Sequence, residues 1–544
     1  MKYDYIVVGA GSAGCVLANR LTEHDNCSVL LLEAGGTDRR FWIQTPIGYG
    51  KTFYDQSVNW MYMTDPDPGI NGQQSYWPRG TVIGGSSSIN AMVFIRGQHA
   101  DFDDWERAGA DGWGWEHVLP YFKKMETFEH GENEWRGGSG PLHVSDPSRN
   151  YHPVCEHFYL AAEQMGIPKN PDFNGIDQEG VGPYQLTTKH GVRFSAAKAY
   201  LRPATNRSNL TISKQCHASR LLFDGNTVTG VEYFRDGKIE HAHANREVIL
   251  SCGAINTPQL LQLSGIGPGG LLQQHGIPVV SDLPAVGQNM QEHLSVSHYY
   301  RSRVPTLNNQ LAPWWGKLLA GMNYVLTRRG PLSLSVNQAG GFVRSSPQRP
   351  RPNIQLYFCP VTYTTAPPHV RPLIKPDSFA GFLNGVSQCR PTSRGSVEIR
   401  SGDPLQHPSI KPNYLSTEYD ITEMVEASRL LREIASMPAL QSVIQEETVP
   451  GPDVQTDEDF VNDVRQRCTT VFHPSCTCRM GKSLSDSVVD PGLKVHGVNA
   501  LRVIDASVFP NVTSGNTNAP TIMVAEKAAD IIRGKSQCNS GSSS

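Results

Sequence analysis

Residues 473–480 read HPSCTCRM and place His473 three and five positions before Cys476 and Cys478. These residue types could bind a metal, form a C-x-C redox pair, or leave the histidine as the one reactive group. A structural zinc site takes about four ligands, usually in two closely spaced pairs, and the nearby Cys468 belongs to no C-x-x-C pair. Two buried thiols in a turn are therefore the favoured interpretation of the cysteines, and the segment alone leaves the role of the histidine open.

Gly9, Gly11 and Gly14 follow an apolar strand at residues 3–8 with the spacing G-x-G-x-x-G. A helical apolar pattern comes next, and a second apolar strand ends at Glu33. In such a unit the glycines permit a tight turn, close approach of a pyrophosphate and packing of helix on strand. The helix N-terminus attracts phosphate, and Glu33 can accept hydrogen bonds from both ribose hydroxyls. Because an acid in this place disfavours a 2′-phosphate, NADP is not the expected cofactor. The unit predicts a dinucleotide site without separating FAD from NAD.

The whole chain has the composition of a large globular protein, with 544 residues of which 38% are apolar. Its 48 Lys and Arg against 51 Asp and Glu give a net charge of −3, which predicts no general attraction to nucleic acid or anionic lipid. The sequence has no run of about 18 apolar residues, so a membrane-spanning helix is not expected. The N-terminus resembles a strand rather than a signal peptide. Eleven scattered cysteines favour a reduced, cytoplasmic protein, and residues 535–544 are expected to be a disordered tail.

Longer motifs identify a family. Residues 78–97 read PRGTVIGGSSSINAMVFIRG, residues 253–267 read GAINTPQLLQLSGIG, and residues 472–481 (FHPSCTCRMG) precede the long motif at 505–532. Together with the N-terminal unit they resemble the glucose–methanol–choline (GMC) family of FAD-dependent alcohol oxidoreductases. The resemblance runs from about residue 3 to about residue 534, and it is strongest to the bacterial alcohol, sorbose and choline dehydrogenase branch.

The resemblance implies an α/β fold, in which a Rossmann-like FAD-binding domain joins a substrate domain made of an antiparallel sheet flanked by helices. The FAD-binding domain is expected to be assembled from separated segments, with the substrate domain between them. The boundaries predicted on this basis are 1–150, 190–300 and 460–534 for the FAD-binding domain, and 151–189 and 301–459 for the substrate-binding domain.

The resemblance also implies which residues surround the cofactor, while no residue is assigned to a metal. Relatives that bond the flavin covalently use a histidine in the Gly/Ser loop, where this chain has Ile89, so FAD is expected to be held without a covalent bond. The predicted cofactor-binding residues are Gly9, Gly11, Ser12, Gly14, Glu33, Ala34, Arg79, Gly84, Gly85, Ser86, Asn90, Ala91, Gly253, Asp505, Ala506 and Asn516.

For catalysis the resemblance assigns His473 the role of the base that removes the hydroxyl proton of an alcohol. Asn518 matches the family residue that holds the alcohol oxygen, through an amide that donates a hydrogen bond without competing for the proton. Asn516 is ranked below it, as a residue that shapes the loop. Glu292, which stands where the family has aspartate, is expected to be structural.

The sequence favours a neutral primary alcohol or a polyol such as a sugar as the substrate. Choline would require aromatic faces and a carboxylate, and a loose alignment puts Gln338 where choline-oxidising relatives have an acid. Choline dehydrogenase or oxidase is the alternative, followed by an FAD-containing lyase of the same fold. Several aromatic residues could line the pocket, although core positions are expected for most of them: Trp314, Trp315, Tyr357, Phe358 and Tyr363.

The electron acceptor is not encoded in any motif. Similarity to the dehydrogenase branch favours a quinone or another acceptor over oxygen, with oxidase activity left open. The expected location is the cytoplasm, and peripheral contact with the inner face of the membrane is compatible with a quinone acceptor.

Overall fold

The computed structural model describes residues 2–24, 26–363 and 375–534, so the expected tail at 535–544 lies outside the described residues. Two large sheets of seven strands each organise this part of the chain. Their strands are β1 (Lys2–Val8), β2 (Val29–Glu33), β3 (Gly180–Pro183), β4 (Leu210–Lys214), β5 (His217–Asp224), β6 (Thr227–Arg235), β7 (Lys238–Leu250), β8 (Leu294–Ser302), β9 (Ala339–Val343), β10 (Ile354–Cys359), β11 (Gly381–Gln388), β12 (Ile444–Val449), β13 (Thr469–Thr470) and β14 (Leu501–Val503).

Helices surround both sheets. They are α1 (Ser12–Leu21), α2 (Phe41–Gln44), α3 (Tyr49–Thr52), α4 (His99–Arg107), α5 (Trp115–Met125), α6 (Cys155–Gln164), α7 (Arg202–Ala204), α8 (Gly253–Leu263), α9 (Gly269–Gln274), α10 (Leu307–Leu311), α11 (Trp314–Thr327), α12 (Glu418–Ser436), α13 (Pro438–Gln441), α14 (Asp457–Arg467) and α15 (Asn518–Ile532).

Short elements complete the described chain. A π-helical turn spans Ala197–Leu201, and one-turn 3₁₀ helices recur in the loops. Five small ribbons pair Tyr62–Met63 with Tyr76–Trp77, Glu126–Phe128 with Leu142–Val144, Thr188–Lys189 with Val192–Arg193, Ile266–Gly267 with Ser281–Asp282, and Ser396–Glu398 with Ser409–Lys411.

The first sheet has the order β4-β2-β1-β7-β6-β5, with β14 also paired to β7. The pairs among β4, β2, β1, β7 and β14 are parallel, whereas β5 and β6 extend the sheet as an antiparallel hairpin. Val8 is in register with both Leu32 and Leu250, so β1, β2 and β7 end together. Because ligands bind beyond the carboxyl ends of parallel strands, this shared edge is where the predicted dinucleotide site belongs.

The second sheet has the order β12-β8-β11-β10-β9-β3, with β13 paired to β8, and all of its pairs are antiparallel. Successive side chains of a strand point to opposite faces. In β8, Val296 and Tyr300 pack into a core shared with α6 and α12, and Ser297 and Tyr299 face the cavity described below. One face of the sheet is thus core, and the other is a wall of the site.

This architecture confirms the predicted class, with a Rossmann-like unit and an antiparallel sheet flanked by helices. The domain boundaries stay a prediction. Strand β8 begins inside the expected FAD-binding segment 190–300, and β13 lies within 460–534, so both sheets draw strands from these segments. Within the described ranges, none of the helices has the length and apolar character needed to cross a membrane.

Candidate active site

A deep cavity begins at the turn after β1 and extends to the inner face of the second sheet. Its walls come from segments that are far apart in sequence, which the two sheets bring together. Most of the residues predicted from the sequence line it: Gly9, Gly11, Ser12, Arg79, Gly85, Ser86, Asn90, Ala91, Gly253, His473, Asp505, Ala506, Asn516 and Asn518.

The first turn has the geometry of a phosphate cradle. Gly9 has φ of +99°, and a Cβ on Gly14 would lie 1.8 Å from the carbonyl oxygen of Gly9, so both positions require glycine. A Cβ on Gly11 would have its nearest contact beyond the chain neighbours at 3.8 Å, with the carbonyl oxygen of Ser251, and Gly11 caps the N-terminus of α1. The absence of a side chain there therefore leaves room for a ligand beside free backbone N–H groups, which fits a pyrophosphate.

Glu33 closes this turn from the end of β2. Its carboxylate accepts hydrogen bonds from the backbone N–H groups of Ala10 and Gly35, both at 2.8 Å. Burial raises the pKa of Glu33 to about 7. Glu33 and Ala34 line a second, smaller cavity next to the first, together with residues 216–218, which the sequence did not single out.

The Gly/Ser loop lies against the same turn. A Cβ on Gly85 would lie 2.7 Å from the Cα of Gly11, so the two glycines let the loop and the turn touch. Asn90 accepts hydrogen bonds through Oδ1 from Arg193 Nη1 at 2.8 Å and from the Met92 N–H at 3.0 Å. Its amide nitrogen is thereby the group oriented for other contacts. Gly84 and Gly14, which the sequence also predicts as cofactor-binding residues, are not among the residues that line the cavity.

Asp505 ties the first sheet to the start of α8. It accepts hydrogen bonds from the N–H of Gly253 at 2.8 Å, from the hydroxyl of Thr257 at 2.7 Å and from the N–H of Ser507 at 2.8 Å. Burial raises the pKa of Asp505. The carboxylate thus holds together two turns that line the cavity.

His473 projects into the cavity between two polar partners. Its Nδ1 lies 2.9 Å from Nδ1 of His293, and its Nε2 lies 3.1 Å from Nδ2 of Asn516. The side chain of Asn516 is oriented by Gln355, whose Nε2 lies 3.4 Å from its Oδ1. The imidazole is largely buried, with 7% of its surface exposed.

The partner of His293 fixes the tautomer of both rings. Nε2 of His293 lies 2.9 Å from the carbonyl oxygen of Cys389, which can only accept, so this nitrogen carries a proton. Burial lowers the pKa of His293 to about 4, so the ring is neutral and its Nδ1 is an acceptor. His473 must then donate from Nδ1, which leaves the lone pair of its Nε2 directed at the Asn516 amide and the cavity.

Glu292 anchors the backbone of the same loop. Its Oε1 accepts hydrogen bonds from the N–H of His473 at 2.8 Å and from the hydroxyl of Thr470 at 2.9 Å. Burial raises the pKa of Glu292 to about 7, against the opposing effect of the nearby Arg79. This contact pattern agrees with the structural role expected for Glu292, whereas the neighbouring His293 was missed.

The cysteines of HPSCTCRM face away from this chemistry. Cys476 and Cys478 are fully buried free thiols, and their backbone N–H groups donate to the carbonyls of Ala506 and Ser507. Across the described ranges, no group of three or more His, Cys, Asp or Glu residues is arranged to hold a metal ion. Cys476 has φ of +72°, a left-handed backbone conformation that glycine adopts more readily than cysteine.

The two asparagines make different contacts, and the assignment of Asn518 as the residue that holds the alcohol oxygen stays a prediction. Asn518 is the first residue of α15, and its Oδ1 accepts a hydrogen bond from the hydroxyl of Ser12 at 2.7 Å. It therefore joins the N-termini of α15 and α1, and further along the two helices an ion pair links Arg20 to the buried Glu526. Asn516, in the loop before the helix, is the residue that contacts His473.

The five aromatic residues for which pocket or core positions were expected lie in three different places. Tyr357 and Tyr363 are buried and line the cavity with Tyr299 and Phe472, whereas Phe358 lies in the core. Trp314 and Trp315 occupy neither place. They are exposed on α11, so the expectation of a pocket or core position is wrong for both.

Comparison with known proteins places the chain in a family. The GMC oxidoreductase model matches its N-terminal part at residues 3–295 and its C-terminal part at 391–525. The chain belongs to the GMC oxidoreductase family, which confirms the resemblance, and it is an FAD-dependent enzyme that oxidises CH–OH groups.

Individual relatives cover nearly the whole chain. It is 47% identical to mitochondrial choline dehydrogenase of Mus musculus, over 98% of this chain and 90% of the relative, and 43% identical to an alcohol dehydrogenase [acceptor] of Pseudomonas putida, over 97% and 95%. Among solved structures, pyridoxine 4-oxidase from Mesorbium loti aligns with a TM-score of 0.88 at 30% identity, over 98% of this chain and 99% of that one.

Proposed function

We propose that this protein oxidises a primary alcohol to an aldehyde, with His473 as the base that takes the hydroxyl proton. The observation that carries the proposal is the series of contacts from His293 through His473 to Asn516, which directs an unprotonated Nε2 towards the cavity. An alcohol bound there would donate its hydroxyl proton to Nε2 and accept a hydrogen bond from the Asn516 amide.

FAD, when bound, supplies the acceptor for the hydrogen and electron pair that leave the alcohol carbon. The residues that would hold it are those of the phosphate cradle and the Gly/Ser loop, together with Arg79, whose guanidinium donates to the Phe472 carbonyl at 2.6 Å beside the base. As negative charge develops on the alcohol oxygen, the Asn516 amide stabilises it without removing a proton from His473.

Choline is the first candidate substrate. Relatives named choline dehydrogenase support it, with 47% and 45% identity over 98% of this chain. Gln338 does not count against choline, because its side chain accepts a hydrogen bond from the His152 N–H at 2.7 Å and does not line the cavity. The tyrosines of the cavity wall offer faces to a quaternary ammonium group.

A neutral primary alcohol is the second candidate, and the charges of the cavity favour it. Among the described residues that line the cavity, Asp505 is the one carboxylate, and it already accepts three hydrogen bonds. Arg467 also lines the cavity and is paired with Asp463. A cationic substrate would thus rely on aromatic faces alone, and the alcohol dehydrogenase [acceptor] relative offers a precedent for this second class.

Anaerobic flavin bleaching distinguishes the candidates. Choline and a series of neutral primary alcohols of matched size, including the isosteric 3,3-dimethylbutan-1-ol, are added to the purified enzyme, and the rate of bleaching is followed. A higher specificity constant for choline than for its neutral isostere supports the first candidate, and the reverse order supports the second. If no alcohol bleaches the flavin, oxidation of alcohols is not the activity of the protein.

We propose an acceptor other than oxygen, such as a quinone, in line with the relative named alcohol dehydrogenase [acceptor]. Oxygen is the competing acceptor, because a relative named oxygen-dependent choline dehydrogenase is 43% identical over 98% of this chain. After anaerobic reduction, addition of a soluble quinone should restore the flavin colour much faster than admission of air. Equal or faster recovery in air would make the protein an oxidase.

A further inference from the structure

Helix α11 exposes an unusual number of apolar side chains. At about 100° per residue, its exposed apolar positions fall within about 140° of the helix circumference, and the buried Gly316 and Tyr324 lie on the other side. The exposed side chains are Trp314 (76%), Trp315 (53%), Leu318 (54%), Leu319 (55%), Met322 (46%), Val325 (56%) and Leu326 (82%).

Helix α2 continues this surface. Phe41 and Trp42 are 51% and 44% exposed, and the ring of Phe41 lies 6.5 Å from that of Tyr324 on α11. We call the seven residues of α11 with Phe41 and Trp42 the apolar face. Single exposed apolar residues are common on soluble proteins, but a contiguous group marks an interaction surface.

Basic residues outnumber acidic residues at the border of the apolar face, where Asp55 is paired with Arg40. Residues 39–54 and 304–330 contain three Lys or Arg each and no Asp or Glu. Lys189 and His190 extend this border, because the adjacent Gly191 carbonyl accepts from the hydroxyl of Tyr324. The chain as a whole has a net charge of −3, so the positive charge is a local property of this surface.

We propose that the apolar face docks on the surface of an anionic phospholipid bilayer. Trp, Phe and Leu side chains beside Lys and Arg are the composition by which a helix lies in the headgroup region, with its apolar side among the acyl chains. A second copy of the chain fits this surface less well, because a two-fold contact would bring two copies of the same surface, each with its basic border, face to face.

Docking in this orientation would place the active-site cavity next to the membrane. Tyr49 and Phe53, just beyond α2, line the cavity, as do Val336 and Asn337, which follow α11. The two segments are joined by the N–H of Val336, which donates to the Tyr49 hydroxyl at 3.3 Å. The docking does not depend on the proposed function, but with a quinone as acceptor it would bring the lipid-dissolved acceptor to the wall of the site.

Flotation with vesicles tests the proposal. Full-length, FAD-loaded enzyme is mixed with vesicles of phosphatidylcholine alone or with a minor share of phosphatidylglycerol, and the bound fraction is measured by flotation. The expected result is binding to the anionic vesicles that weakens in salt. A protein that stays with the unbound fraction at low salt overturns the proposal.

Paired substitutions locate the surface. Leu318→Glu with Leu326→Glu should lower the ratio of bound to free enzyme at least about tenfold, because two apolar side chains can no longer enter the acyl region. The matched control, Leu405→Glu with Leu484→Glu, changes leucines of similar exposure (63% and 61%) away from the apolar face and should bind as the wild type does.

Two outcomes would contradict the assignment. Equal loss of binding in both pairs would mean that added negative charge, and not this face, explains the effect. A wild-type dimer that dissociates only in the Leu318→Glu/Leu326→Glu variant would assign the face to a second copy instead. Substrate turnover with a water-soluble acceptor should be unchanged in both pairs, which shows that the variants fold.

Discussion

Nδ1 of His293 lies 2.9 Å from Nδ1 of His473, and the other nitrogen of His293 is committed to the carbonyl of Cys389. The two imidazoles are 180 positions apart in the chain and meet with nearly perpendicular rings. A neutral histidine thus acts here as a hydrogen-bond acceptor. It holds a second histidine in the tautomer that a base requires, a task that carboxylates perform in many other active sites.

Replacing His473 by alanine should leave FAD bound and slow flavin reduction by at least about a hundredfold, the lower range for a positioned base. Anaerobic stopped-flow absorbance measures the rate, and the flavin-to-protein absorbance ratio of the purified variant is the control. A rate within a few-fold of wild type would remove His473 from the catalytic role.

Replacing His293 by leucine should slow flavin reduction with little change in the substrate concentration at half-saturation, because the ring acts only through His473. His293→Asn is the matched variant, since its amide oxygen can take the place of Nδ1 as an acceptor, and it should recover part of the rate. If the asparagine and leucine variants are equally slow, the role assigned to the acceptor nitrogen is wrong.

Alanine substitutions of Asn516 and Asn518 should affect different properties of the enzyme. Asn516→Ala removes the donor next to His473 and should slow flavin reduction by about a hundredfold at normal flavin content. Asn518→Ala breaks the contact with Ser12 and should lower flavin retention more than the reduction rate. Absorbance spectra and stopped-flow rates of both variants decide the matter, and the opposite pattern would support Asn518 as the residue that holds the alcohol oxygen.

Glu292 predicts a pH dependence of stability. Burial raises its pKa in the folded protein to about 7, above the value of about 4.3 expected when the chain is unfolded. The folded state therefore binds the extra proton, and this contribution to stability is present below pH of about 4 and is lost as the pH rises through about 7. The effect is at most about 4 kcal/mol.

Urea unfolding of the holoenzyme at several pH values between about 5 and 8 tests this linkage. Glu292→Gln keeps an acceptor for the His473 N–H and cannot titrate, so its midpoint should fall less with rising pH than that of the wild type. Parallel curves for the two proteins would assign the pH dependence to other groups.

Ile89 predicts that FAD is released on denaturation. This side chain lines the cavity in the Gly/Ser loop and has no atom that can bond to the flavin. Precipitation with acid should leave all yellow colour in the supernatant, and a coloured pellet would contradict the expectation.

Local motifs predicted much of this structure, because the strand, glycine turn and acid of the first unit lie within about thirty residues. Contacts between distant segments were harder to foresee. Nothing in NMQEHL distinguishes His293 from an ordinary buried histidine until β8 and the loop after β13 meet. Which of Asn516 and Asn518 contacts His473 depends on the residue at which α15 begins, because the direction of a side chain follows its position in the helix. That starting residue is hard to predict from the sequence.

Helix α11 illustrates a different limit of the sequence. Its apolar spacing predicts an amphipathic helix, but the pattern alone does not tell whether the apolar side faces the interior or the solvent. In this chain small residues and Tyr324 pack inward, and the tryptophans and leucines remain outside.

The segment that carries His473 is fastened at both ends to different sheets. On one side β13 pairs with β8, and on the other the N–H groups of Cys476, Cys478 and Met480 donate to the carbonyls of residues 506–508 that follow β14. If the two sheets moved apart, these hydrogen bonds would break and His473 would be displaced. The fold therefore sets the distance between His473 and the residues of both sheets, whatever the state of the cavity.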